Sequence, residues 1–128
     1  MDVEVCRLFA RYNRHANKEM NLFIERLDDA QWNREFGGYF KSIKENCNHI
    51  YIADFNWLKR FSNLRSFDYI RKPIFERDIA FGTVPLAEVP DYLQKREEMD
   101  NLLIEFTNEL DNGDLEMQLH YLDSRGEP

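Results

Sequence analysis

Three stretches of this chain space their apolar residues three and four apart, and that rhythm limits the fold more than any other feature. In the first, Val5, Phe9, Tyr12, Ala16, Met20, Phe23, Leu27 and Ala30 follow at steps of 4, 3, 4, 4, 3, 4 and 3. Side chains so spaced share one face of an α-helix, which predicts a helix over about residues 2–27. The second stretch is Ile43, Cys47, Ile50, Asp54, Trp57 and Phe61, and the third is Val89, Leu93, Arg96, Met99, Leu103, Phe106 and Leu110. Start and stop signals frame them. Asp28 and Gln31 are spaced as a capping box for a short extra turn, Gly37-Gly38 breaks the chain, and Ser42-x-x-Glu45 suits a helix start. Pro90 suits a first helical position and Asn112-Gly113 a stop.

Two segments fall outside that rhythm. Residues 62–88 hold Pro73, Gly82 and Pro85, yet Ile70, Ile74, Phe75, Ile79 and Phe81 make the segment too apolar for a free linker. It is expected to lie packed across the helices. Near the end, Leu115, Met117, Leu119 and Tyr121 alternate with Glu116, Gln118 and His120, which predicts a strand, and Asp123 to Gly126 reads as a turn. The expected fold is all-α: a single domain over residues 1–128, with three long helices and an extended, β-like C-terminal segment.

The composition is globular, with 43% hydrophobic and 32% charged residues. The net charge of −7 speaks against general binding to a phosphate backbone, which needs a positive field. Charge is uneven. Lys59, Arg60, Arg65, Arg71, Lys72 and Arg77 are set against only Asp68 and Glu76, whereas residues 97–116 hold acids and no base. Complementary packing or solvation is the plain reading of that pattern, and contact of the 59–77 segment with an anion or nucleic acid is the alternative. Cys6 and Cys47 form no C-x-x-C motif and read as two buried thiols. No apolar run approaches the ~18 residues a membrane span needs, and the N-terminus lacks a signal pattern, so a soluble cytoplasmic protein is expected.

Several segments together resemble the DinB-like family. Leu8-Phe9-Ala10-Arg11-Tyr12-Asn13-Arg14-His15-Ala16-Asn17 resembles its Y-N-x-W-A-N opening helix. Gly38-Tyr39-Phe40-Lys41-Ser42-Ile43, then Asn48-His49-Ile50, Ala53-Asp54 and Trp57-Leu58, is similar to its second helix. Arg96-x-x-x-Asp100-x-x-Leu103 and a tail of Leu119, Tyr121, Asp123 and Gly126 continue the likeness along essentially the whole chain. The resemblance implies an up-and-down four-helix bundle, commonly a homodimer. It also implies a zinc or nickel ion on three histidines, the first at the position of His49 and the others in an H-x-x-x-H pair on a fourth helix. His15 stands where the family's opening motif has Trp, and no H-x-x-x-H occurs in these residues. The expectation is therefore a C-terminally truncated bundle with its fourth helix missing or supplied from elsewhere.

The chemistry legible in the residues is sparse. Zinc and nickel sites need three or four converging ligands, and the histidines at 15, 49 and 120 have no pair at helical spacing. His49 is the single candidate metal ligand. It lies on a polar strip of Ser42, Asn46, His49, Ala53, Asn56 and Arg60 beside the apolar seam, where a side chain can look into a cleft. Cys47 lies about 160° round the helix from His49, so the two make no nucleophile and base pair. Asp54 falls on the seam itself and needs a partner, for which an arginine on another long helix is the candidate; Arg96 and Asp100 are spaced to pair. No catalytic residue is assigned. Two function classes follow: a divalent-metal-dependent transferase or hydrolase acting on a small molecule, with only part of its site here, or a non-catalytic helical interaction module. An apolar groove left open by the missing helix predicts a homodimer.

Overall fold

In the computed structural model, which describes residues 2–123 and 125–127, the chain forms four α-helices. They are α1 (Val3–Ile24), α2 (Asp29–Asn33), α3 (Ile43–Phe61) and α4 (Val89–Glu109). The all-α class stands, and the expectation of a fold short of its fourth helix is corrected. The short α2 is the turn that the capping box announces: Gln31 N donates to Asp28 Oδ1 at 2.7 Å and Asp28 N donates to Gln31 Oε1 at 3.0 Å. Trp32 of α2 is fully buried, and its indole N–H donates to the Ala87 carbonyl at 2.9 Å. Ser42 caps α3 as its spacing predicts, accepting from Glu45 N at 3.0 Å.

The β-like C-terminal segment is also corrected, because no strand occurs among the described residues. Asp114–Glu116 is a 3₁₀ turn, Met117 after it is extended, and Asn63 Nδ2 donates to the His120 carbonyl at 3.1 Å. The alternation has another cause. Leu115, Met117 and Leu119 all line one hollow against α1, α3 and α4, so they follow a helical surface and not a sheet. Near the end, Asp123 N donates to the Glu127 carbonyl at 2.6 Å and Gly126 N to the Asp123 carbonyl at 3.0 Å.

Both α1 and α3 pack on α4 and scarcely touch each other. The termini of α1 and α4 give their direction: Val3 N donates to Asn112 Oδ1 at 2.9 Å, while Asn17 bonds Asp100, so these helices are antiparallel. By contrast, Asp54 meets Arg96 and Phe61 stacks on Phe106, so α3 and α4 run parallel. The up-and-down order therefore holds for α1 and α3 but not for α4. Residues 62–88 make this geometry accessible, because a chain of that length easily spans the ~28 Å of α3 to bring α4 back to the same end. The connection lies across the core as expected, burying Phe67, Tyr69, Ile74, Phe75 and Leu86. Asn48 of α3 clamps it: its side-chain amide donates to the Leu86 carbonyl at 2.9 Å and its oxygen accepts from Leu86 N at 2.8 Å.

The largest departure concerns which faces are buried. In α3 the core face is Cys47, Asn48, Tyr51, Ile52, Phe55 and Leu58, roughly a third of a turn from the apolar seam read from the sequence. In α1 only Val3, Ala10 and Ile24 are buried, while Phe9, Tyr12 and Phe23 of the seam are 61%, 66% and 65% exposed. The α1 surface against α4 is polar instead, carrying Arg7, Asn13, Arg14 and Asn17.

Candidate functional site

The α1 seam turns away from α4, and together with Ile43, Cys47, Ile50 and Phe61 of the α3 seam it walls an open cleft between α1 and α3. Two apolar hollows lie along it. One, of about 450 Å³, is lined by Met20, Phe23, Leu27, Ile43, Cys47 and Ile50 among others. The other, of about 520 Å³, is lined by Cys6, Phe9, Asn13, Phe61, Leu103 and Phe106 together with the tail. Ile50 is half exposed on the α3 wall.

A polar network forms the floor between them. Arg96 of α4 is 1% exposed, and its Nη2 lies 2.6 Å from Asp54 Oδ2 and 2.7 Å from Asp100 Oδ1. Arg96 Nε donates to the same Asp100 oxygen at 3.0 Å. Asn13 and Asn17 reach that oxygen from α1 at 3.1 and 2.9 Å. Burial pushes the Asp100 carboxyl above its ordinary value, against the pull of Arg96 and of the Asn17 and Arg96 hydrogen bonds. Arg96 Nη1 is buried and finds no acceptor among the described residues. The partner anticipated for Asp54 is thus Arg96, and the i, i+4 pair with Asp100 forms as its spacing allows. Spacing could not reveal Asn13 and Asn17 as members, because their bond crosses 83 and more residues of chain.

His49 is elsewhere. Its ring packs 4.4 Å from Phe40 and 5.7 Å from Phe81, centroid to centroid, on the side of α3 away from the cleft. The small hollow beside it, about 140 Å³, is lined by Phe40, Glu45, His49, Gly82, Thr83 and Val84. Gly82 turns the connection there at φ 82°, a conformation that favours glycine. Glu45, one turn earlier, already accepts from Lys41 N at 3.0 Å. His15 and His120 are on α1 and in the tail. No group of three or more His, Cys, Asp or Glu converges among the described residues. One imidazole between two aromatic rings does not fit a three-histidine centre.

Cys47 is buried, and burial raises its thiol despite a hydrogen bond with Tyr92 and the nearby Arg96 charge. That is the opposite of what a nucleophile needs. Cys6 is half-buried in the hollow beside Phe9. In the basic segment, Lys59 pairs with Asp78 at 2.6 Å, Arg65 with Asp114 at 2.7 Å and Lys72 with Glu105 at 3.9 Å. Arg60 lies over the rings of Trp57 and Tyr121, at 4.8 and 5.1 Å.

The arrangement defines a helical domain with an open apolar cleft floored by a shared arginine. Its family follows from comparison: the DinB family model matches residues 1–127, and the chain belongs to that family. No curated protein and no solved structure matches it. No helix is long and apolar enough to cross a membrane among the described residues.

Proposed function

We propose that this chain is a non-catalytic interaction module and that the cleft between α1 and α3 is its docking face. The observation that carries the reading is the outward placement of the strongest apolar stripe in the sequence, with Phe9, Tyr12, Met20 and Phe23 all more than half exposed. Contiguous apolar surface of this kind is costly in water and marks interaction sites. The homodimer expected from the sequence is one way to cover it. Sedimentation velocity tests whether any partner is needed: self-association that is abolished by Phe23→Glu supports docking through this face, and association unchanged by that substitution removes the cleft from the account.

The metal-dependent reading has less support. It rests on family membership and on His49, whose surroundings supply no second imidazole. Equilibrium dialysis against zinc and nickel separates the two. Equal uptake by the native chain and His49→Ala is expected, and uptake of one equivalent that His49→Ala abolishes would restore the enzyme reading.

A further inference from the structure

We infer that Asn112 is a site of spontaneous covalent modification, cyclising onto the Gly113 nitrogen and converting to aspartate or isoaspartate. The Val3 N–H at the start of α1 is the donor that stabilises the oxyanion formed on the way.

The pair itself makes the chemistry possible. Asn112 is the one asparagine of this chain that glycine follows. An asparagine carboxamide carbon and the next backbone nitrogen can close a five-membered ring, and a glycine there puts no side chain in the path of attack. Asparagine is a thermolabile residue. Because the reaction is intramolecular, positioning governs its rate.

The fold leaves the nucleophile open. Asn112 and Gly113 form a turn after the end of α4, and both are exposed to water. The Gly113 N–H has no acceptor among the described residues. The neighbouring Asp111 and Asp114 N–H groups are both taken, by Asp114 Oδ2 at 3.0 Å and Asp111 Oδ1 at 2.9 Å. Attack by the Gly113 nitrogen therefore breaks none of these bonds.

The electrophile is already polarised. Asn112 Oδ1 accepts from Val3 N at 2.9 Å. Val3 is the first residue of the 22-residue α1, so its N–H has no acceptor within the helix. Asp2 takes the next two donors, its side chain accepting from Glu4 N and its carbonyl from Val5 N. The Val3 N–H is left to meet Asn112, at the positive end of the helix dipole. The oxygen it holds is the one that becomes negative when nitrogen adds to Cγ, and a donor fixed on a developing oxyanion lowers the barrier.

The steps balance with water as the only co-reactant. The Gly113 nitrogen gives its proton to water and bonds to Asn112 Cγ. The bond from Cγ to Nδ2 then breaks, and that nitrogen takes up a proton and leaves as ammonia. Water opens the resulting succinimide at one of its two carbonyls, breaking a C–N bond and leaving a carboxylate. One opening gives aspartate and the other isoaspartate. In isoaspartate the carbonyl that held Val3 belongs to the main chain, so the tie between the start of α1 and the end of α4 has a finite lifetime.

The test is to keep the purified chain warm at neutral pH for weeks and follow each asparagine by peptide mapping and mass spectrometry. Asn112 is expected to convert ahead of every other asparagine. Val3→Pro removes the N–H alone, because proline suits a first helical position. It is expected to slow conversion several-fold, up to about 10-fold for one hydrogen bond. Conversion that is unchanged or faster in Val3→Pro overturns the inference. So does an Asn112 that stays intact while the chain unfolded in urea converts. If Val3→Pro does not fold, the urea comparison decides: conversion at least as fast in the folded chain supports the inference, and slower conversion contradicts it.

Discussion

Asp100 is the residue on which most of the buried polar structure converges. One of its oxygens accepts from Asn13, Asn17 and both Nε and Nη2 of Arg96. Asp100→Ala strips Arg96 of its buried partner and frees both asparagines, and it is expected to cost about 3–5 kcal/mol by chemical denaturation. Asp100→Asn keeps the shape and is expected to cost less. Asp54 is legible in the sequence as a seam carboxylate in need of an arginine, and Arg96–Asp100 as an i, i+4 pair, because those arguments use only local spacing and the cost of burying charge. For His49 the strip beside the seam is legible, but the surroundings are not. Its neighbours, Phe40 and Phe81, come from two irregular segments whose path no periodicity encodes.

At the level of elements, caps and lengths are legible and buried faces are not. The Asp28–Gln31 box and the Ser42 cap form as read. The seams of α1 and α3 are real apolar stripes, but periodicity gives the stripe without saying what it faces. Here α1 uses a polar face of Asn13, Arg14 and Asn17 against α4 because Asp100 and Asn101 are there to meet it. The connection 62–88 holds its place through Asn48, which bonds both N–H and C=O of Leu86 while fully buried. Asn48→Ala leaves both backbone groups unmet and is expected to cost about 2–4 kcal/mol in thermal or urea unfolding. It should also raise proteolytic nicking within 62–88 well before the helices unfold.

Across the whole molecule, the end of α4 is locked to the connection by Arg65, which holds both oxygens of Asp114 at 2.7 and 3.0 Å. The Arg65 hydrogen bond, helped by the Asp111 N–H, keeps the Asp114 carboxyl below its ordinary value of 3.8. A carboxyl lowered in the folded state contributes stability above its unfolded value, and that contribution is lost as pH falls through the folded one. The stability gap between the native chain and Asp114→Asn should therefore be constant at neutral pH and shrink below about pH 4. A gap that stays constant into stronger acid would remove Asp114 from the acid response. Asp100 acts in the opposite sense, because its raised value favours the folded state in acid.

The central claim is that the α1 stripe is a docking face and not a core, and the thermal stability of Phe23→Glu tests it most directly. Phe23 is 65% exposed, so the account predicts a change within about 1 kcal/mol, a shift of roughly 4 °C or less in Tm. A fall of about 10 °C or more, the response of a buried aromatic replaced by a charge, would show that the stripe is packed inside the fold and contradict it.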